Sequence, residues 1–116
     1  MRQKVPESGV LRACIGLLAA ERIWHRRWNS GAMIDSTGRP VRFGVKGDAD
    51  ILASFRCVRL NGPPEFLWIE CKSDKGKQSP EQVEFQKEVT AAGHNYLIVR
   101  DAYQLRDWLI DHGAIR

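Results

Sequence analysis

The stretch FLWIECKSDKGKQSPEQVEFQKEVTAAGHNYLIV, residues 66–99, decides the fold of this chain. Residues 66–72 are apolar up to a charged end, which is typical of a buried strand, and residues 73–78 form a polar loop. Residues 79–92 have the pattern of a helix, and residues 95–99 are again short and apolar. A strand, a helix and a second strand at this spacing predict two parallel strands with the helix packed on the sheet.

The helix in this stretch has clear start and stop signals. Ser79 stands at the N-cap position, Pro80 at the first helical position, and Gln82 at the third, where its side chain completes a capping box. Gly93 follows the last helical residue and is expected to terminate the helix.

The other elements are predicted from similar patterns. They are a helix over residues 6–28, short strands over 32–35 and 41–45, a strand over 50–55 that runs on toward residue 60, a turn at 61–64, and a helix over 102–112 capped by Asp101. The turn at 61–64 should join its two flanking strands as a hairpin. The predicted fold class is therefore α/β, with a mixed sheet of about four or five strands flanked by helices.

Composition limits the classes of protein to consider. The chain has 116 residues, with 18 Lys and Arg against 14 Asp and Glu, and a formal charge of +4. This size predicts one domain over residues 1–116, and the mild basic excess suits a nucleic-acid partner without requiring one. No apolar stretch reaches the roughly 18 residues of a membrane span, and no signal peptide is recognisable, so we expect a cytoplasmic protein without a membrane partner.

Three cysteines, Cys14, Cys57 and Cys71, form no CxxC pair. An odd number without paired spacing argues against both a disulfide framework and a structural zinc site. We expect them to be small apolar residues in a reducing compartment.

Three charged residues carry the predicted chemistry. Glu70 and Lys72 lie two residues apart, so their side chains should point to the same face of the strand. Asp50 opens the strand that pairs with it, so the two carboxylates should meet near one end of the sheet. Two carboxylates and water suit Mg²⁺ or Mn²⁺, and a lysine beside them can orient or deprotonate the attacking water. This set predicts phosphodiester hydrolysis, whereas the simpler interpretation of Glu70 and Lys72 is a solvated ion pair.

Four sequence blocks resemble those of the virus-type replication-repair nuclease domain, VRR-NUC, of the PD-(D/E)xK nucleases. The blocks are GDADI at 47–51, WIECK at 68–72, SPEQ at 79–82 and AGHNYLIV at 92–99, and WNSGA at 28–32 is similar to the family's opening segment. The resemblance covers nearly the whole chain and implies a restriction-endonuclease-like fold. It departs from the family pattern at Ala49, where proline is usual, and at Leu11, where glutamine is usual.

The resemblance implies a role for each matching residue. Asp50 and Glu70 would be metal ligands together with the backbone carbonyl of Cys71, and Lys72 and Gln82 would complete the catalytic set. The family's acid on the first helix, which also lies at the metal, corresponds to Glu7. Asp48 is a rival for the role of Asp50, and Glu21 is a rival for the role of Glu7.

Helical periodicity adds independent support for two of these residues. Gln82 lies on one helix face with Phe85 and Val89, so it should point inward, although it could serve only as the partner of Ser79 in the capping box. Glu7 is in line with the apolar residues of the first helix, although it could serve only to interact with the helix dipole.

Basic residues near these blocks are candidate DNA contacts. Arg22, Arg26 and Arg27 cluster with two tryptophans, Trp24 and Trp28, in the predicted first helix, which favours phosphate binding with aromatic support. Lys46, Lys75 and Lys77 flank the predicted site and should attract a polyanion. The simpler interpretation of these charges is a solvated surface.

The predicted function is a Mg²⁺- or Mn²⁺-dependent DNA endonuclease. By resemblance to stand-alone domains of the family in phages and bacteria, we expect a homodimer that cuts branched DNA, such as four-way (Holliday) junctions, in repair or recombination. The alternatives are a nuclease acting on flaps, single strands or plain duplex, and a non-catalytic DNA-binding accessory module.

Overall fold

A computed structural model describes residues 5–28, 31–43 and 45–116, with the backbone alone for 31–33 and 42–43. The elements in chain order are α1 (Glu7–Ala20), β1 (Trp24–Arg27), β2 (Gly31–Ile34), β3 (Pro40–Phe43), β4 (Ile51–Phe55), β5 (Glu65–Cys71), α2 (Pro80–Ala91), β6 (Asn95–Val99) and α3 (Ala102–Asp111). Residue 44 of the predicted strand 41–45, and residues 29–30 of the opening block, lie outside the described residues.

Four strands form the main sheet in the order β1-β4-β5-β6. β1 pairs antiparallel with β4, and β4 pairs antiparallel with β5 through the predicted hairpin. β5 and β6 are parallel, with α2 as the connection between them. β2 and β3 form a separate two-stranded antiparallel sheet. The mixed α/β architecture predicted from the sequence is confirmed.

One face of the main sheet forms the hydrophobic core. Its strand residues include Ile51, Leu67, Ile69 and Val99, all fully buried. The helix residues packed in the same cluster are Val10, Cys14 and Leu18 of α1 and Leu105 and Leu109 of α3. Burial of each such aliphatic side chain contributes about 1.5–3 kcal/mol, so this layer provides most of the stability. Because side chains alternate along β5, Glu70 points to the opposite face, toward α2.

Helix α2 begins as predicted, with the complete capping box between Ser79 and Gln82. None of its residues is fully buried. It is held over the sheet by aromatic edge contacts, with the ring of Phe85 centred 5.0 Å from Trp68 and 6.1 Å from Tyr96. Trp68, which belongs to the apolar segment 66–72 that predicted a buried strand, is therefore half-buried beneath α2 rather than inside the main core.

The prediction of one helix over residues 6–28 is wrong, because α1 ends at Ala20. Arg22 adopts a left-handed conformation with φ of 56°, and its amide donates to the carbonyl of Ala19. The amide of Ile23 donates to Leu18, which completes a Schellman motif, and the side chains of Ile23 and Leu18 are both buried. The usual glycine is absent from this motif, so the sequence contains no visible stop signal.

The residues after this turn form an edge strand instead of helix. β1 pairs with β4 through the register Trp24↔Ser54 and Arg27↔Ile51. Backbone pairing with a strand already built into the core outweighs local helical preference, which is a weak determinant of structure. β4 likewise ends at Phe55 rather than continuing toward residue 60, because the chain turns there with a hydrogen bond from the amide of Asn61 to the carbonyl of Cys57.

Candidate active site

Asp50 is fixed immediately before β4 by three hydrogen bonds. Its amide donates to the carbonyl of Ile69 over 3.0 Å, and its carbonyl accepts from the amide of Trp28 over 2.7 Å. Its carboxylate oxygen Oδ2 accepts from the amide of Cys71 over 2.7 Å. The side chain thus lies across the end of the β4–β5 ladder, beside the residue that separates Glu70 from Lys72.

Glu70 is a fully buried carboxylate with one satisfied and one unsatisfied oxygen. The hydroxyl of Tyr96 donates to Oε1, whereas Oε2 has no hydrogen-bond partner within the described part of the chain. Burial raises the pKa of Glu70; the Tyr96 hydroxyl and the positive charge of Lys72 oppose that rise, and the negative charge of Asp50 adds to it. A buried charged oxygen without a partner is costly, so this group is suited to a ligand.

Lys72 is also buried, with a relative exposure of 7%. Its Nζ donates to Oε1 of Gln82 over 2.8 Å and lies 3.6 Å from Oε1 of Glu7. The same Gln82 oxygen accepts from the amide of Ser79 over 2.8 Å. Gln82 therefore completes the capping box and holds the lysine amine at the same time, so both interpretations of this glutamine describe real contacts.

Glu7 contacts the lysine from the first turn of α1. The side chain of Glu7 is 56% exposed, so the inward orientation expected from periodicity is wrong for most of it. Only its carboxylate reaches the site. Among residues 5–28, 31–43 and 45–116, no three His, Cys, Asp or Glu side chains form a group that could hold a metal ion. The role of Glu7 as a metal ligand stays a prediction.

Asp50 shares the electrostatic situation of Glu70. Burial raises the pKa of Asp50 most strongly; the hydrogen bond from the Cys71 amide lowers it, and the nearby Glu7 carboxylate raises it further. Lys72 and Arg27 provide the opposing positive charge. Two carboxyl groups with raised pKa values at one end of a sheet are typical of a functional site.

The donor set fits Mg²⁺ or Mn²⁺. These ions are commonly held by one or two carboxylates and keep several of their own waters. Oε2 of Glu70, which no described residue contacts by a hydrogen bond, and the carboxylate of Asp50 form a suitable pair. The amide of Cys71 points toward Asp50. In any β-strand, the amide and the carbonyl of the same residue point toward the same neighbouring strand. The carbonyl of Cys71 therefore points to the same side, as its predicted role as a ligand requires.

Two further residues at the site were missed by the sequence analysis. Tyr96 contacts Glu70, and Nε2 of Gln78 donates to the Tyr96 hydroxyl over 3.3 Å and to Gln86 over 3.0 Å. Burial raises the pKa of Tyr96, and its hydrogen bond to Glu70 adds to the effect, so the hydroxyl stays a proton donor. The available signal was a tyrosine within an apolar strand, because a buried phenol normally needs a hydrogen-bond partner.

Arg100 organises the loop of residues 73–78, which we call the lysine loop because it carries Lys75 and Lys77. Its Nη1 donates to three loop carbonyls, those of Ser73, Asp74 and Gly76, at 2.6, 3.2 and 2.9 Å. With these carbonyls turned inward, Lys75 and Lys77 are exposed next to the site. Arg100 was also missed, because no local pattern links it to this loop.

The other predicted DNA contacts are less concentrated than the sequence suggested. Lys46 forms an exposed ion pair with Glu81, at 3.2 Å, while the neighbouring Gly47 packs against the first turn of α2. Arg22 lies in the turn after α1, and Arg26 and Arg27 lie on β1, where adjacent side chains point to opposite faces. The predicted helical spacing of Arg22 and Arg26 is therefore wrong.

One groove lies away from these residues. It has a volume of about 570 Å³ and is lined by side chains of α2, including Val83, Lys87 and Thr90. None of the predicted site residues lines it. In the described ranges, no helix combines the length and the apolar character that crossing a membrane requires.

Comparison with known proteins identifies no relative. No family model matches the chain, and no curated protein or solved structure matches it. The resemblance to VRR-NUC domains therefore stays a prediction based on the four sequence blocks.

Proposed function

We propose that this protein is a divalent-metal-dependent nuclease that hydrolyses phosphodiester bonds in DNA. The observation that carries the proposal is the buried Glu70, whose Oε2 has no hydrogen-bond partner among the described residues, with Asp50 and Lys72 around the same end of the sheet. A structural ion pair would not need this arrangement, because it would satisfy both oxygens of the glutamate.

Each residue has a distinct task in this proposal. Asp50 and Glu70 hold the ion, Mg²⁺ or Mn²⁺, with Glu7 and the carbonyl of Cys71 as the further predicted ligands. Such an ion would supply Lewis-acid chemistry, because it would lower the pKa of a bound water and neutralise charge on the phosphate. Lys72 orients or deprotonates the attacking water and offsets the developing negative charge.

Gln82 and Glu7 keep the amine of Lys72 in position. The lysine side chain has four rotatable bonds, so an unrestrained amine would sample many positions and lose the benefit of preorganisation. The contacts at 2.8 and 3.6 Å come from two different helices, α2 and α1, so movement of either helix would displace the amine.

DNA is the proposed substrate because phosphodiester chemistry is combined with a basic exterior. The net charge is +4, and the lysine loop presents Lys75 and Lys77 next to the site. We further propose branched DNA, such as a four-way junction, as the preferred substrate. Two symmetric cuts then require a homodimer with two sites.

Cleavage assays test the chemistry and the substrate separately. Labelled four-way junction, flap, single-stranded and linear duplex DNA are incubated with Mg²⁺ or Mn²⁺ and with wild type, Lys72→Met or Lys87→Met. Methionine keeps the buried apolar part of Lys72, and Lys87 is an exposed lysine of α2 that serves as the matched control. We expect the control to cut like wild type and Lys72→Met to be slower by about 10²-fold or more.

The outcomes are distinct. Equal cleavage of junction and linear duplex would reject the branched-DNA part of the proposal while leaving the nuclease intact. A wild type that binds DNA and cuts none of the four substrates would reject the nuclease in favour of an accessory module.

A further inference from the structure

The face of the main sheet that carries Glu70 is only partly covered by α2. Trp28 lies on this face, because its ring is centred 5.2 Å from Trp68, which in turn contacts Phe85 of α2. Side chains alternate along β1 and β5, so Trp24 and Phe66 share this face. They lie opposite each other across β4, since both Trp24 and Phe66 pair with Ser54.

This uncovered area, which we call the tryptophan face, consists of Trp24, Arg26 and Trp28 on the β1 side, Leu52 and Ser54 on β4, and Phe66 on β5. Its three aromatic residues keep large exposed fractions, 47% for Trp24, 41% for Trp28 and 44% for Phe66. Trp24 and Trp28 are four residues apart, about 13 Å along an extended chain, so they are separate contact points rather than a stacked pair.

Positive charge accompanies the ring of Trp24, whereas the indole nitrogen of Trp28 donates to a carboxylate oxygen of Asp48 over 2.7 Å. The guanidinium of Arg26 lies 5.1 Å from the ring centre of Trp24, and one of its nitrogens donates to the carbonyl of His25. Within the described residues the only ion pairs are Lys46–Glu81 and Lys72–Glu7, so the charge of Arg26 has no acidic partner there. An arginine over an exposed tryptophan presents a cation and an aromatic surface together.

We propose that the tryptophan face binds unpaired bases of a DNA strand and leads that strand to the site at Asp50 and Glu70. The inference rests on the proposed nuclease function and specifies its substrate as DNA with unpaired nucleotides next to the cleaved bond. The face is continuous with the site, because Trp28 donates its amide to the carbonyl of Asp50.

Unpaired bases fit this surface better than duplex does. In a duplex the ring faces of the bases are stacked on one another and cannot contact Trp24 or Phe66, and only phosphates reach a flat surface. Bases of a single strand can stack on exposed aromatic rings, at about 1–3 kcal/mol per base, while arginine contacts the backbone. Single strands and flaps contain such nucleotides, whereas the bases of a matched four-way junction are all paired, so within the proposed panel this surface favours single-stranded and flap DNA.

Binding is measured separately from cleavage, by fluorescence anisotropy without divalent metal. The probes are a labelled single-stranded oligonucleotide and its blunt duplex, and the proteins are full-length wild type, Trp24→Ala, Trp24→Tyr, Phe66→Ala and Tyr103→Ala. Tyr103 is the matched control, because it is 74% exposed on α3, which packs on the opposite face. Circular dichroism verifies that each variant is folded.

We expect Trp24→Ala and Phe66→Ala to weaken single-strand binding by about 5- to 100-fold, the equivalent of one stacked base, and to leave duplex binding unchanged. Trp24→Tyr should restore most of the affinity, because tyrosine also stacks. An equal loss on both DNA forms, or a Trp24→Ala variant that binds like Tyr103→Ala, would overturn the inference. If wild type binds single strands through Trp24 but shows no Mg²⁺-dependent cleavage, the nuclease proposal fails and the inference about this surface stands.

Discussion

Replacing Glu70 by Gln should stabilise the metal-free protein at neutral pH, although it removes a predicted metal ligand. Glu70 is fully buried, and its Oε2 has no partner among the described residues. An unsatisfied buried polar group costs about 1–3 kcal/mol, and more when charged. Glutamine keeps an oxygen for the Tyr96 hydroxyl and removes the charge, so the free energy of unfolding should rise by about 1–2 kcal/mol. In a domain of this size, that rise corresponds to about 3–10 °C in Tm.

The gain should depend on pH with a definite sign. Burial raises the pKa of Glu70, so the folded state binds this proton more tightly than the unfolded state. Wild-type stability therefore falls as pH rises from the unfolded pKa, about 4.3, through the raised folded pKa. The advantage of Glu70→Gln should be small below about pH 4, where the wild-type carboxyl is neutral, and complete above the folded pKa of Glu70.

Denaturant unfolding, followed by tryptophan fluorescence in the presence of EDTA at pH 4 and pH 7.5, measures both effects. Glu84→Gln is the matched control, because Glu84 is exposed on α2 and its replacement should stay within about 0.5 kcal/mol of wild type. Added Mg²⁺ should then raise the stability of wild type and not that of Glu70→Gln. The burial argument would be refuted if Glu70→Gln were no more stable than wild type at pH 7.5. It would also be refuted if the difference in the free energy of unfolding were the same at pH 4 and pH 7.5.

Three other predictions follow from the contacts around the site. Tyr96→Phe removes the hydrogen-bond donor that orients Glu70, so it should weaken Mg²⁺ binding, measured by calorimetry, by about tenfold. An unchanged affinity would show that the hydroxyl does not orient the carboxylate. Gly47→Ala should lower the free energy of unfolding by about 2–4 kcal/mol in denaturant titration, because φ is +95° and a Cβ would lie 2.6 Å from the backbone of α2. Gly38 also has a positive φ but lies in open space, so Gly38→Ala should lower it by only about 1–2 kcal/mol. Equal losses in the two variants would contradict the steric argument. Arg100→Met removes the donor to all three carbonyls and should accelerate tryptic cleavage in the lysine loop, whereas an unchanged cleavage rate would show that other contacts hold that loop.

Most of the fold was predictable because its signals are local. The strand β5, the capped helix α2 and the strand β6 have patterns that each extend over fewer than about fifteen residues. The shared face of Glu70 and Lys72 follows from strand alternation alone. The proximity of Asp50 to this pair required only one additional step, the hairpin between β4 and β5.

The errors occurred where a local pattern was overruled by distant contacts. The end of α1 depends on a Schellman motif without glycine, and the strand character of residues 24–27 depends on pairing with β4, about 27 residues further along the chain. The contacts that complete the site are also remote in sequence. Tyr96 and Glu70 are 26 residues apart, as are Arg100 and Asp74, and no periodicity within one element connects them.

The elements around the site were predictable from the amino-acid sequence alone, and so were the two acids and the lysine that we propose to be catalytic. Short-range stereochemistry is sufficient for that, because alternation, capping and turn preference act between neighbouring residues. The environment of each group came from tertiary packing. Oε2 of Glu70 has no partner in the described part of the chain, Gln82 and Glu7 contact the amine of Lys72, and Trp24 is exposed on the sheet. Burial and hydrogen-bond partners depend on how whole elements pack, and packing is set by the summed apolar contacts of the entire chain.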